Sequence, residues 1–106
     1  MSNLTRTLRD VVTIAGQMME TTLGPVFASP INVPACVDFG FRRITNRQGQ
    51  EVVASAFLIL GPDATLNVDD QVNFEGIKYE TVDVQPMRVN GKIDHIEAYL
   101  KSVGSD

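Results

Sequence analysis

From residue 31 onward, turn-forming residues recur at short intervals, and this spacing constrains the fold more than any other feature of the chain. Residues 46–49, Gly61-Pro62-Asp63, Glu75-Gly76 and Asn90-Gly91 are breaker clusters, and Gly24-Pro25 and Ser29-Pro30 precede them. Between the clusters lie short runs rich in Val, Ile, Phe, Tyr and Thr. Strand-forming runs at such spacing predict a small barrel or sandwich. A chain of 106 residues that folds alone buries roughly 65% of its extended surface, enough for one modest core. The expected fold class is therefore all-β: a single domain of about six antiparallel strands with a long N-terminal loop. Its core is expected over residues 34–101, with an N-terminal region over 1–33 and a tail over 102–106.

Individual runs carry finer expectations. Residues 70–85 read as a hairpin in which Glu75-Gly76 forms a two-residue turn between Phe74 and Ile77. Apolar parity then shifts to Val82 and Val84, the signature of a bulge. Pro86 is expected to end that ladder. Asn90-Gly91 turns the chain into residues 92–101, where Ile96, Ala98 and Leu100 share one face and His95, Glu97 and Tyr99 the other, completing a three-strand meander. Upstream, residues 34–45 and 50–60 predict a longer hairpin. Residues 52–60 do not alternate, so both faces of that strand call for cover. Either a neighbouring chain or the domain's own N-terminal segment can supply the second cover.

Residues 1–23 support two readings. Leu4, Leu8, Val11, Ala15, Met18 and Met19 follow helical spacing, with Ser2 as a cap and Gly24-Pro25 as a stop. Against a short helix, Val11-Val12-Thr13-Ile14 is β-branched throughout and suits a strand. Residues 21–34, with three prolines and with Val26, Phe27 and Ile31, read as a long loop of the kind used for binding.

Composition excludes several classes. Apolar residues make up 43% and charged residues 21%, a globular balance. The single cysteine, Cys36, forms no intramolecular disulfide, and one Cys with one His cannot build the usual structural zinc site. No phosphate-cradling loop or nucleophile elbow is present, so no cofactor is expected. The longest apolar stretch, Val52 to Leu60, falls well short of the roughly 20 residues of a bilayer span. With no apolar leader at the start, the chain is expected to be soluble, unexported and away from membranes. Charge is uneven: residues 1–60 carry five arginines against four acids, leaving +1. Residues 61–106 carry four basic residues against nine acids, leaving −5.

The candidate chemistry is sparse. His95 is the only imidazole, with Glu97 and Tyr99 placed to orient it, and Cys36 is a conceivable nucleophile for it. Asp63, Asp69 and Asp70 lack calcium-loop spacing and read as a solvated turn. Arg42, Arg43 and Arg47 cluster at one end of the 34–60 hairpin, a basic tip suited to DNA phosphate or an acidic partner.

The order of features over residues 34–101 resembles the tailed-phage head-closure family, also called head–tail joining, neck or stopper proteins. A glycine turn (Gly49) leads into a long apolar strand. A Pro/Asp loop (Pro62, Asp70), a glycine hairpin (Gly76), a tyrosine-bearing strand (Tyr79), a proline step (Pro86) and a final strand with a histidine (His95) follow. The resemblance implies a first strand near Val11–Ala15 and a non-enzymatic virion subunit made in the host cytoplasm. It further implies a homo-oligomeric ring at the neck, six copies favoured over twelve. Its partners would be the portal or adaptor on the head side, a tail terminator or tail protein on the other, and packaged double-stranded DNA in the channel. Phe27, Ile31, Phe57 and Ile59 are the candidate subunit contacts on this reading, and Arg42, Arg43 and Arg47 the candidate DNA or partner contacts. Two other classes stay open. One is a small β-barrel module binding a peptide or single-stranded nucleic acid, which needs an exposed aromatic platform that core-parity Phe and Tyr do not supply. The other is a small hydrolase or isomerase using His95.

Overall fold

The computed structural model of the chain describes residues 8–45 and 48–105. Eight strands follow one another: β1 (Asp10–Ala15), β2 (Gln17–Thr21), β3 (Gly24–Phe27), β4 (Ile31–Thr45), β5 (Glu51–Leu60), β6 (Gln71–Phe74), β7 (Ile77–Val89) and β8 (Lys92–Ser105). Six of them close an antiparallel barrel in the order β1-β4-β5-β8-β7-β6, and β2 with β3 forms a separate two-stranded hairpin.

The two turns read from sequence have the expected geometry. Glu75 and Gly76 take φ values of 52° and 79°, and Asn90 and Gly91 take 53° and 79°. Positive φ at both central residues matches the right-handed twist of the flanking strands. β6, β7 and β8 form the meander, with a register shift between Thr81 and Asp83 where the apolar parity changes. β4 and β5 form the longer hairpin, running from the Ala35–Leu60 pair to Thr45–Glu51.

Five expectations are corrected. The helical reading of residues 4–19 fails over its described part: Val12 and Ile14 are buried while Val11 is exposed, the period-2 pattern of a strand. The β-branched side chains decide the local conformation, and pairing with β4 and β6 stabilises it. The earlier part of that segment lies outside the described residues. The long loop over 21–34 is instead the β2–β3 turn, strand β3 and the start of β4. Pro86 does not end its strand but sits inside β7, opposite Ile96. β7 pairs with β6 only as far as Glu80, so Pro86 lies on an open edge that needs no N–H donor. The 102–106 tail continues β8 as far as Ser105. The core also reaches back beyond residue 34, to Val12, Ile14 and Val33.

Inside the barrel, Ala35, Ala56 and Ala98 alternate with Leu58, Leu60 and Leu100, all at most 1% exposed. Six strands enclose little space, and small residues beside large ones let the side chains fill it. These buried side chains make the interior of the barrel its core.

β1 closes the ring by bonding to β4 on one side and β6 on the other. Closure is confined to the waist. β1 reaches only Ala35 of β4, and β8 pairs with β5 only over Ala56–Leu60. The far halves of β4 and β5 therefore extend past the barrel as a two-stranded arm, and the β7–β8 hairpin extends at the opposite end.

Candidate functional site: the outer wall and its two extensions

The outer wall over β4, β5, β8 and β7 is built by cross-strand register. Cys36, Ile59, Glu97 and Gln85 form one row, and Asp38, Phe57, Tyr99 and Asp83 the next. In the second row the Phe57 and Tyr99 rings pack at 5.2 Å, and the Arg42 guanidinium lies 5.6 Å from the Phe57 ring centroid. β5 thus uses both faces. Ala54, Ala56, Leu58 and Leu60 are buried inward, while Phe57 and Ile59 stay half-buried on the outside and Val53 is exposed. Among the described residues, the chain's own Tyr99 and Arg42 give that outer face part of its cover.

The arm beyond the barrel carries Phe39, Phe41, Arg42 and Arg43. Phe39 keeps the core parity of Val33, Ala35 and Val37, but it sits at the barrel rim, opposite Ala56 and past the end of β1, so it stacks on Phe74 at 6.1 Å and remains 61% exposed. Phe41 is 84% exposed. The expectation that most aromatic residues are core residues therefore fails here: parity marks a face, and that face has no core behind it past the barrel rim. Arg43 meets Glu51 across the hairpin at 3.3 Å, with both side chains largely exposed, a pairing of small energetic weight. Arg47 lies outside the described residues.

The β2–β3 hairpin stands against another wall. Gln17, Pro25 and Phe27 face a cleft shared with Asp69, Asp70, Tyr79 and Val103, which places Phe27 half-buried between hairpin and barrel. Ile31, the fourth candidate contact, is exposed at the start of β4. The four apolar candidates are thus not one patch: Phe57 and Ile59 share the outer wall, and Phe27 and Ile31 lie near the hairpin base.

Asp70 corrects the solvated-turn reading. It is 4% exposed, and its carboxylate accepts the Gln17 N–H at 3.0 Å and the Asn67 N–H at 2.8 Å. Its carbonyl accepts from both the Thr81 N–H, at 3.1 Å, and the Thr81 hydroxyl, at 3.0 Å. One residue therefore ties the 61–70 loop, β7 and the first residue of the hairpin together. Asp69, beside it, is exposed and strained at φ 75°.

His95 is held by two carboxylates, with Nδ1 2.9 Å from Asp94 and Nε2 2.7 Å from Glu97. Burial favours the neutral ring, but these two hydrogen bonds and charges outweigh it and raise the His95 pKa above the ordinary 6.5. As an imidazolium, both nitrogens donate and neither offers a lone pair to a substrate proton. Tyr99, on the same face, packs with Phe57. Cys36 is two strands from Glu97 in the register, about 10 Å at the usual strand spacing, so the register does not assemble a Cys–His pair. Among the described residues no cluster of His, Cys, Asp or Glu is arranged to hold a metal ion.

The raised pKa gives a stability prediction. A group whose folded pKa lies above its unfolded value adds stability that is full below the unfolded pKa, near 6.5, and is lost as pH rises through the folded value. Unfolding free energy measured from pH 5 to 9 should fall across that window from the His95 contribution, and His95→Gln should remove that component of the slope. An unchanged pH profile in the variant would show that the two carboxylates do not act on the ring.

No protein-family model matches the chain, and no curated protein matches it.

Proposed function

We propose that the chain is a non-enzymatic structural subunit of a tailed-phage head–tail connector, a ring that closes the DNA-filled head and gives the tail its platform. The observation that carries the reading is a filled six-strand barrel with much of its apolar surface left outside it. Phe39, Phe41 and Val53 are exposed on the arm, and Met18, Met19, Leu23 and Val26 on the hairpin. Exposed apolar surface of this extent favours interaction with other chains. Because the interior of the barrel is its core, a DNA channel belongs between copies, as in a ring built by repeated heterologous contacts.

The charge pattern supports the same reading. The −5 half of the chain suits a lumen that repels DNA phosphate, with Arg42, Arg43 and Arg47 as the exceptions able to hold it. The family resemblance adds the neck of the virion as location, assembly in the host cytoplasm, a portal or adaptor above, tail proteins below, and six copies in preference to twelve. No cofactor or membrane enters the reading.

DNA-filled heads prepared without the chain should lose their genomes during purification, and added protein should restore retention, read as DNA co-sedimenting with heads. Heads that keep their DNA equally well without it would contradict the reading. A second reading is favoured by one observation, the exposure of Phe41 beside Arg42 and Arg43. An aromatic next to cations suits stacking on single-stranded nucleic acid or gripping a peptide. Oligonucleotide or peptide binding without any affinity for heads would select it.

A further inference from the structure

An isolated two-stranded hairpin is marginal in water, yet β2–β3 turns an apolar face outward. Its register sets Met19 opposite Val26, and Met18, Met19 and Val26 are 71%, 58% and 42% exposed, while Leu23 at the turn is 99% exposed. The opposite face, with Pro25 and Phe27, lines the cleft against the barrel. Among the described residues, nothing covers the outward face. Residues 17–27 contain one charge, Glu20, and pair flexible methionines with a depletion of charge, the composition of an interface centre.

The same chain carries an open groove of about 570 Å³ lined by Leu8, Ile31, Val33, Pro34, Pro62 and Ala64, with Asp63 its only charged residue. The hairpin lies along the β6–β7–β8 side, and the groove lies at the start of β4. In the barrel order β1 stands between the two, and no residue of the hairpin lines the groove. An apolar knob and an apolar groove built from different residues of one chain are the two halves that a heterologous, head-to-tail contact between copies needs. The four hairpin side chains expose on the order of 500 Å², a large part of the roughly 800 Å² per partner in a stable contact.

We propose that the β2–β3 hairpin of one copy docks, through Leu23 and the Met19–Val26 face, into the groove formed by Ile31–Pro34 and Pro62–Ala64 of the next copy. The proposal rests on the ring reading above and specifies the contact that would propagate the ring.

Disulfide trapping tests the contact directly. In a Cys36→Ser background, Leu23→Cys and Thr65→Cys variants, mixed and oxidised, should give dimers containing one copy of each, well above the yield of either variant alone. A mixed yield no higher than that of the separate variants overturns the docking. In parallel, Leu23→Asp, at a fully exposed position, should keep the wild-type melting temperature and weaken assembly on portal–adaptor complexes about thirtyfold or more, the effect of losing an interface hot spot. Wild-type assembly by Leu23→Asp overturns the docking and leaves the ring reading standing. Specific trapping in a protein that forms no ring keeps the docking and overturns the ring reading.

Discussion

Leu58→Ala should lower the free energy of unfolding by about 3 to 4 kcal/mol, the largest loss expected from any single truncation in the core. Leu58 is fully buried and sits at the middle of the β5–β8 ladder, facing the inside of the barrel between the β4 and β8 neighbours Val37 and Ala98. A closed barrel cannot collapse around a missing side chain without disturbing its hydrogen-bonded wall, so most of the cavity should persist. For a domain of this size the melting temperature should fall by roughly 15 °C or more. The next residue makes the control. Ile59→Ala, on the half-buried outer face, should cost about 1 kcal/mol in the isolated chain. Equal losses at the two positions, measured by urea unfolding, would show that β5 does not have the inside and outside assigned to it.

Asp70→Ala should follow closely, with a loss of about 3 kcal/mol. Removing the carboxylate leaves the Gln17 and Asn67 N–H groups without their charged acceptor, and each such loss costs about 1 to 3 kcal/mol. The damage should also be local. Gln17 begins β2, so amide exchange over residues 17–27 should speed up more than exchange in β5 or β8. Asp70→Asn keeps one carbonyl acceptor and should lose about half as much. If Asp70→Ala melts within a few degrees of wild type, the carboxylate does not hold the loop and hairpin together.

What sequence alone revealed divides along physical lines. Local chemistry was legible. Glu75-Gly76 and Asn90-Gly91 announce their turns because few residue pairs tolerate positive φ twice in succession, and the parity change at Val82 and Val84 marks the bulge. The inward set Ile96, Ala98 and Leu100 follows from alternation. Long-range pairing was not legible. Asp70 looks like a turn residue beside Asp69, and only its partners, one 53 residues away, reveal that it is buried. β1 showed its β-branched run but not its two neighbours, so its role in closing the barrel could not be read from it. For the candidate site, Phe57 and Ile59 were found because an unalternating strand must show apolar residues on its second face. Phe39 and Phe41 were missed because alternation says which face a residue shares, not where the core beneath that face ends.

The account turns on assembly, and native mass spectrometry of the purified protein, alone and then mixed with portal–adaptor complexes from the same source, tests it most directly. The account predicts that the chain joins those complexes as a closed ring, with an added mass equal to a whole number of 11.6 kDa subunits, six in preference to twelve. A chain that stays monomeric and ignores the portal complexes, yet binds a peptide or a single-stranded oligonucleotide, would contradict it and assign the barrel to recognition instead of closure.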